Sequence, residues 1–147
     1  MISTFGRQPA IALVDDDVHS ARLMMRMLAA HAGPPVEHLL DADEALQALT
    51  ALAALPPQDG QFTVVVVDLK SSSNATRDFI LALRAAAPRL VVVAMAPSLD
   101  RDVRNCLLDA GAAAVFERHA DLAAYRREAA NIVGFWVRSQ RLNAVGA

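Results

Sequence analysis

Short apolar runs alternate with stretches of helical spacing along nearly the whole chain. Ala10 to Val14 is almost wholly apolar and stops at Asp15, Asp16 and Asp17, the pattern of a strand buried on both faces that ends at a polar surface. Val18 to Ala32 carries Ala21, Met24, Met25 and Leu28 at helical steps and is closed by Gly33, Pro34 and Pro35. Val36 to Leu40 gives a second, weakly signalled strand, and Asp43 to Ala54 a helix with acids in its first turn. Pro56, Pro57 and Gly60 break that helix. Phe62 to Val67 is β-branched and unalternating, which predicts the central strand of a sheet, and it ends on Asp68.

A polar loop from Lys70 to Ala75 leads into a helix over Thr76 to Ala87, then a strand over Leu90 to Met95. Leu99 to Ala110 reads as a helix with Gly111 at its end, Ala113 to Phe116 as a fifth strand, and Asp121 to about Arg141 as a long last helix. Five βα units without internal repeats predict a parallel, doubly wound α/β sheet with right-handed crossovers. Such sheets carry their functional groups at the carboxyl ends of the strands.

A length of 147 residues suits one domain spanning 1–147, with its core over about 9–142 and no output domain after it. Hydrophobic residues make up 54% of the chain but aromatics only 5%, so the core must be built from Ala, Val and Leu. A formal charge of −2 and the lack of a recognition-helix signature argue against nucleic-acid binding. Cys106 has no second cysteine to pair with and reads as an ordinary helix residue. No signal peptide precedes the first strand, and no window approaches the ~18 apolar residues of a membrane span, so a cytoplasmic address is expected.

The chemistry lies in the acids. Asp15 and Asp16 follow the first strand and Asp68 ends the third, so this topology brings carboxylates from distant positions to one rim. Like charges so placed raise one another's pKa unless a cation intervenes, and a hard divalent ion such as Mg²⁺, weakly bound, is the expected answer. Asp17 reads as the cap of the first helix.

Leu13-Val14-Asp15-Asp16-Asp17, Val65-Val66-Val67-Asp68-Leu69-Lys70 and Asp109-Ala110-Gly111-Ala112 resemble the signature segments of response-regulator receiver domains, the CheY-like superfamily. The resemblance covers nearly the whole chain and implies a flavodoxin-like five-stranded sheet of order 2-1-3-4-5. It makes Asp68 the phosphoacceptor and Asp15 and Asp16, with Asp68, the Mg²⁺ ligands, and it puts Lys70 where a backbone carbonyl completes the metal site. Self-phosphorylation of Asp68 from a phosphodonor is then the only chemistry expected, by positioning and electrostatics.

The sequence departs from that pattern at both phosphate sensors. Ala96 stands where the family has Thr or Ser, and Arg118-His119 where it has Lys-Pro. Ala96 has no hydroxyl to bond a phosphoryl oxygen, a loss of roughly 1–3 kcal/mol. Arg118 keeps a cation on a planar fork unlike a compact ammonium, and a pairing with Asp68 is expected even without phosphate. His119 implies a trans bond where the proline is often cis. Ser71-Ser72-Ser73-Asn74 replaces a Met-Pro-Gly-type segment, Val115 takes the place of a switch aromatic, and extra length falls between Leu52 and Gln61.

Three functions compete. The first is an atypical receiver in a two-component phosphorelay, served by a histidine kinase or phosphotransfer protein and acting on a downstream protein through a weakened switch. The second is a pseudo-receiver that binds its partner without phosphorylation. The third, a haloacid-dehalogenase-like phosphatase using Asp15 and Asp17, lacks the rest of that signature and room for a cap domain. Phe135 and Trp136 lie past the usual end of the last helix, so a homodimer or partner interface is expected there.

Overall fold

The computed structural model describes residues 8–56 and 62–146, with side chains described through residue 141. Its elements are β1 (Ile11–Asp15), α1 (Val18–Ala30), β2 (Val36–Leu39), α2 (Ala42–Ala53), β3 (Val64–Asp68), α3 (Ala75–Ala86), β4 (Val91–Ala96), α4 (Arg101–Ala110), β5 (Ala114–Glu117) and α5 (Leu122–Gly146). All strand pairs are parallel, and the sheet runs β2-β1-β3-β4-β5, the flavodoxin-like order.

Strand periodicity sorts the core into two layers. Ala12, Val14, Val65, Val67, Val92 and Ala94 face Leu49, Ile80, Leu83 and Leu107 of α2, α3 and α4. Ile11, Leu13, Val64, Val66, Val93 and Met95 face Met24, Leu28, Ala129 and Ile132 of α1 and α5. Every residue of β1 and β3 is buried, as their unalternating sequences require.

The helix ends follow local chemistry. The Asp17 carboxylate accepts hydrogen bonds from the His19 and Ser20 amides, capping α1 as expected. Asp100 caps α4 through the Asp102 amide, so that helix starts at Arg101 and leaves Leu99 outside it and exposed. Gly111 closes α4 at a φ of 128°, in the region that excludes ordinary side chains. A Cβ there would sit 2.3 Å from Arg84 Cγ.

Two expectations change. The third strand begins at Val64 rather than Phe62, because the Gln140 side chain takes over the Phe62 backbone: Phe62 N donates to Oε1 at 3.1 Å and Nε2 donates to the Phe62 carbonyl at 2.9 Å. Thr63 Oγ1 donates to the Pro9 carbonyl at 2.7 Å. The same α5 reaches far enough along the sheet to bury what was expected to overhang it. Phe135 and Trp136 are half-buried against the β1/β3/β4 layer, and Phe135 meets Phe116 edge-on with ring centroids 6.3 Å apart. Both rings thus have cover within the chain over part of their surface.

Residues 57–61, within the connection assigned the extra length, lie outside the described residues. The peptide bonds around His119 are trans, with no cis bond among the described residues. No helix of the described residues is long and apolar enough to cross a membrane.

Candidate functional site

The first and third strands deliver their last residues side by side. Asp15 and Asp68 are register partners across the β1–β3 ladder, and both are buried, at 0% and 1% exposure. Two carboxylates on neighbouring parallel strands, whose spacing is roughly 4.8 Å, cannot both stay ionised out of water without counter-charge.

Two cations supply it. Lys70 Nζ donates to Asp15 Oδ1 at 2.7 Å and to the Asp68 carbonyl at 3.1 Å, and lies 3.2 Å from Asp68 Oδ2. Arg118 Nε donates to Asp68 Oδ1 at 2.8 Å, with Nη2 2.7 Å from the same oxygen. The Asp15–Asp68–Lys70–Arg118 quartet is formally neutral. Its hydrogen bonding is incomplete, because Asp15 Oδ2 and Asp68 Oδ2 are buried without a hydrogen-bond donor, although the second is in ion-pair range of Lys70.

Asp16 stands apart from this quartet. Its carboxylate accepts the Lys70 amide at 3.0 and 3.1 Å and the Ser71 amide at 3.0 Å, so it anchors the start of the β3–α3 loop. Thr76 braces the same loop: its Oγ1 accepts the Leu69 amide at 3.0 Å and donates to the Leu69 carbonyl at 3.3 Å. Asp15 is itself fixed by the Asp17 amide on Oδ1 at 2.9 Å, and its carbonyl is 2.8 Å from His38 Nε2.

The expected metal set of Asp15, Asp16, Asp68 and the Lys70 carbonyl does not fit this arrangement. The Lys70 ammonium, not its carbonyl, enters the space between Asp15 and Asp68, and the Asp16 carboxylate is taken by backbone amides. Among the described residues no three His, Cys, Asp or Glu side chains are placed to share an ion. A divalent cation needs its carboxylate oxygens at about 2.0–2.6 Å, in the volume the ammonium fills.

Ala96 ends β4 nearly fully buried, and its carbonyl accepts the Arg118 amide at 2.7 Å. Because its side chain is only a methyl, and because the loop beside it is built of serines, a cavity of about 540 Å³ opens there, with Leu69, Met95, Ala96 and Leu107 among its walls and Lys70 and Arg118 at one side. His119 turns to other partners, Nδ1 lying 3.1 Å from Glu117 Oε2 and Nε2 3.6 Å from Glu128 Oε2. Asp17, the general acid of a phosphatase reading, is occupied in capping α1.

Tyr125, which sequence reasoning placed only on the apolar face of the last helix, lies buried within electrostatic reach of the site. Its hydroxyl is buried without a hydrogen-bond partner, and its pKa is pushed up to about 12, first by burial and then by the charges of Asp68 and Asp15. A tyrosine at an ordinary core step of a helix gives no sequence signal of such proximity.

The sheet order and the five helices around it define a doubly wound, flavodoxin-like α/β protein with acids at the carboxyl edge of its strands. Solved structures agree on the fold. A response-regulator receiver domain from Rhodospirillum rubrum superposes with a TM-score of 0.68 at 14% identity, covering 87% of this chain and 93% of that one. A candidate pilus assembly protein from Burkholderia thailandensis gives 0.66 at 14% identity, covering 87% and 97%. The Mn²⁺-bound response regulator Rcp1 gives 0.64 at 17% identity, covering 88% and 94%. No protein-family model matches the sequence, and no curated protein matches it significantly. The chain thus has the receiver fold.

Proposed function

We propose that this protein is a receiver-type signalling module that acts by binding another protein and does so without phosphorylation of Asp68. One observation carries the reading: the Asp68 carboxylate, buried at the end of β3, is already held on one oxygen by Arg118 and faced on the other by Lys70. The oxygen held by Arg118 is not free to attack a phosphodonor while that pair is intact, and the Lys70 ammonium stands against the other oxygen. After transfer, Ala96 offers no hydroxyl to the phosphoryl group. Phosphorylated and unmodified states then differ little in the contacts that shift a conformational equilibrium.

The alternative is a receiver that accepts phosphate from a histidine kinase or phosphotransfer protein, with a weakened switch. The retained Asp15 and Asp68 at the strand ends favour it. One experiment decides between them: incubation with acetyl phosphate, with and without Mg²⁺, followed by intact mass. The expected result is no phosphoryl adduct in either condition. A stoichiometric adduct that vanishes in Asp68→Asn would establish the alternative.

A further inference from the structure

We infer that Lys70 is a tethered cation that does the work of a divalent metal at this site, so that the acidic pocket is assembled and charge-balanced by the chain itself. The inference concerns the same pocket as the proposed function and shares with it the Lys70–Asp68 contact, but it stands mainly on the contacts of Asp15, Asp16 and the Lys70 backbone.

The backbone pattern aims the ammonium. Along β3 the even positions Val64 and Val66 point to the α1/α5 layer and the odd positions Val65 and Val67 to the α2/α3/α4 layer, which Leu69, just past the strand, also joins. The side chain of Lys70, two residues beyond Asp68, returns to the side of the sheet that Asp68 occupies. Asp16 then fixes the backbone there, accepting the Lys70 and Ser71 amides, while Thr76 holds Leu69 from both its amide and its carbonyl. Asp16 is thereby a positioning residue for Lys70.

The ammonium faces three oxygens: it donates to Asp15 Oδ1 at 2.7 Å and to the Asp68 carbonyl at 3.1 Å, and lies in ion-pair range of Asp68 Oδ2 at 3.2 Å. Two of these belong to register-paired, buried carboxylates whose repulsion is the reason any cation is needed. A free metal ion would have to expel the ammonium from that space and leave it beside a like charge. A tethered cation has no concentration dependence and no dissociation, so the pocket keeps one electrostatic state whatever the divalent ion level.

Removing the ammonium should convert the pocket. Without Lys70, Asp15 and Asp68 carry two negative charges against Arg118 alone, and two buried Oδ2 atoms already lack donors. The test is Mn²⁺ alone, followed by paramagnetic broadening of amide signals and by thermal unfolding. In the wild-type protein, millimolar Mn²⁺ should leave the amides of Asp15, Asp68 and Leu69 no more broadened than surface amides and the unfolding temperature unmoved.

Lys70→Ala and Lys70→Met should each lose stability and then bind Mn²⁺ at least about tenfold more tightly than wild type, with selective broadening at those amides and recovery of the unfolding temperature. Lys70→Arg should behave as wild type. Selective broadening in the wild type as strong as in Lys70→Ala, or no gain of Mn²⁺ affinity in either uncharged variant, overturns the inference. The wild-type and Lys70→Arg arms keep it falsifiable if the uncharged variants fail to fold. Phosphorylation of the wild type by acetyl phosphate in the absence of Mg²⁺ would defeat the proposed function and leave this result untouched.

Discussion

Arg118 gives its Nε proton to Oδ1 of Asp68 at 2.8 Å and brings Nη2 within 2.7 Å of the same oxygen, leaving the other oxygen to Lys70. Asp68 is 1% exposed, so this pairing holds a charge that water cannot reach, whereas the Arg118 side chain keeps 26% exposure. Arg118→Ala is therefore expected to destabilise the protein by about 2–4 kcal/mol, mostly through the carboxylate left short of a partner. Asp68→Asn in the same background removes that charge, so the double variant should cost clearly less than the sum of the two singles. Additive losses in urea denaturation would show that the pair is not coupled.

Tyr125 makes a pH prediction whose sign is fixed by its raised pKa. A group that holds its proton more tightly when folded adds stability that is fully present below its unfolded pKa of 10 and is lost as pH rises toward about 12. Stability should fall over that window by an amount on the order of 2 kcal/mol from this residue. Tyr125→Phe should remove that part of the alkaline loss. At neutral pH it should be neutral or slightly stabilising, because the hydroxyl it deletes has no partner. Parallel pH–stability curves for the two proteins would contradict the assignment.

The sheet was legible because its signals are local and repeated. The unalternating Val64 to Val67 run, the apolar stretch before Asp15 and the glycine at 111 each state one structural requirement, and together they allow few topologies. The site was legible only to the level of which residues share a rim. A lysine after a strand does not announce whether its carbonyl or its ammonium will face the acids; that depends on the Asp16 anchor and the Thr76 brace, contacts across 54 and 7 residues. The clasp of Gln140 on Phe62 spans 78 residues and sets both where β3 begins and where α5 lies, so Phe135 and Trp136 could not be placed by helix length alone.

Ala96 tests how the cavity beside the site behaves. Its methyl lines about 540 Å³ of space shared with Leu69, Met95 and Leu107, all buried, so added atoms meet open volume instead of packed neighbours. Ala96→Val should stabilise by about 1 kcal/mol through the extra buried carbons. Ala96→Thr should be tolerated within about 1 kcal/mol, with its hydroxyl close to the Lys70 and Arg118 side of the cavity. A sharp loss of thermal stability in Ala96→Val would mean that the cavity closes in solution.

Trp136 separates core from interface. It packs on the layer that contains Met24, Tyr125 and Ile132, beside the Phe116–Phe135 pair, and its Nε1 is buried without a hydrogen-bond partner. A half-buried tryptophan in that position contributes mainly through apolar contact, so Trp136→Ala should cost about 2–3 kcal/mol, less than a fully buried ring because part of its surface stays in water. Trp136→Phe should recover much of that loss, since it restores apolar volume and deletes the unsatisfied N–H. Both effects should be independent of protein concentration, because they arise within one chain. The discriminating measurement is thermal unfolding over a wide concentration range together with light scattering. An unchanged unfolding temperature in Trp136→Ala, accompanied by a lower molar mass than the wild type, would return the residue to the surface and make the interface the better reading.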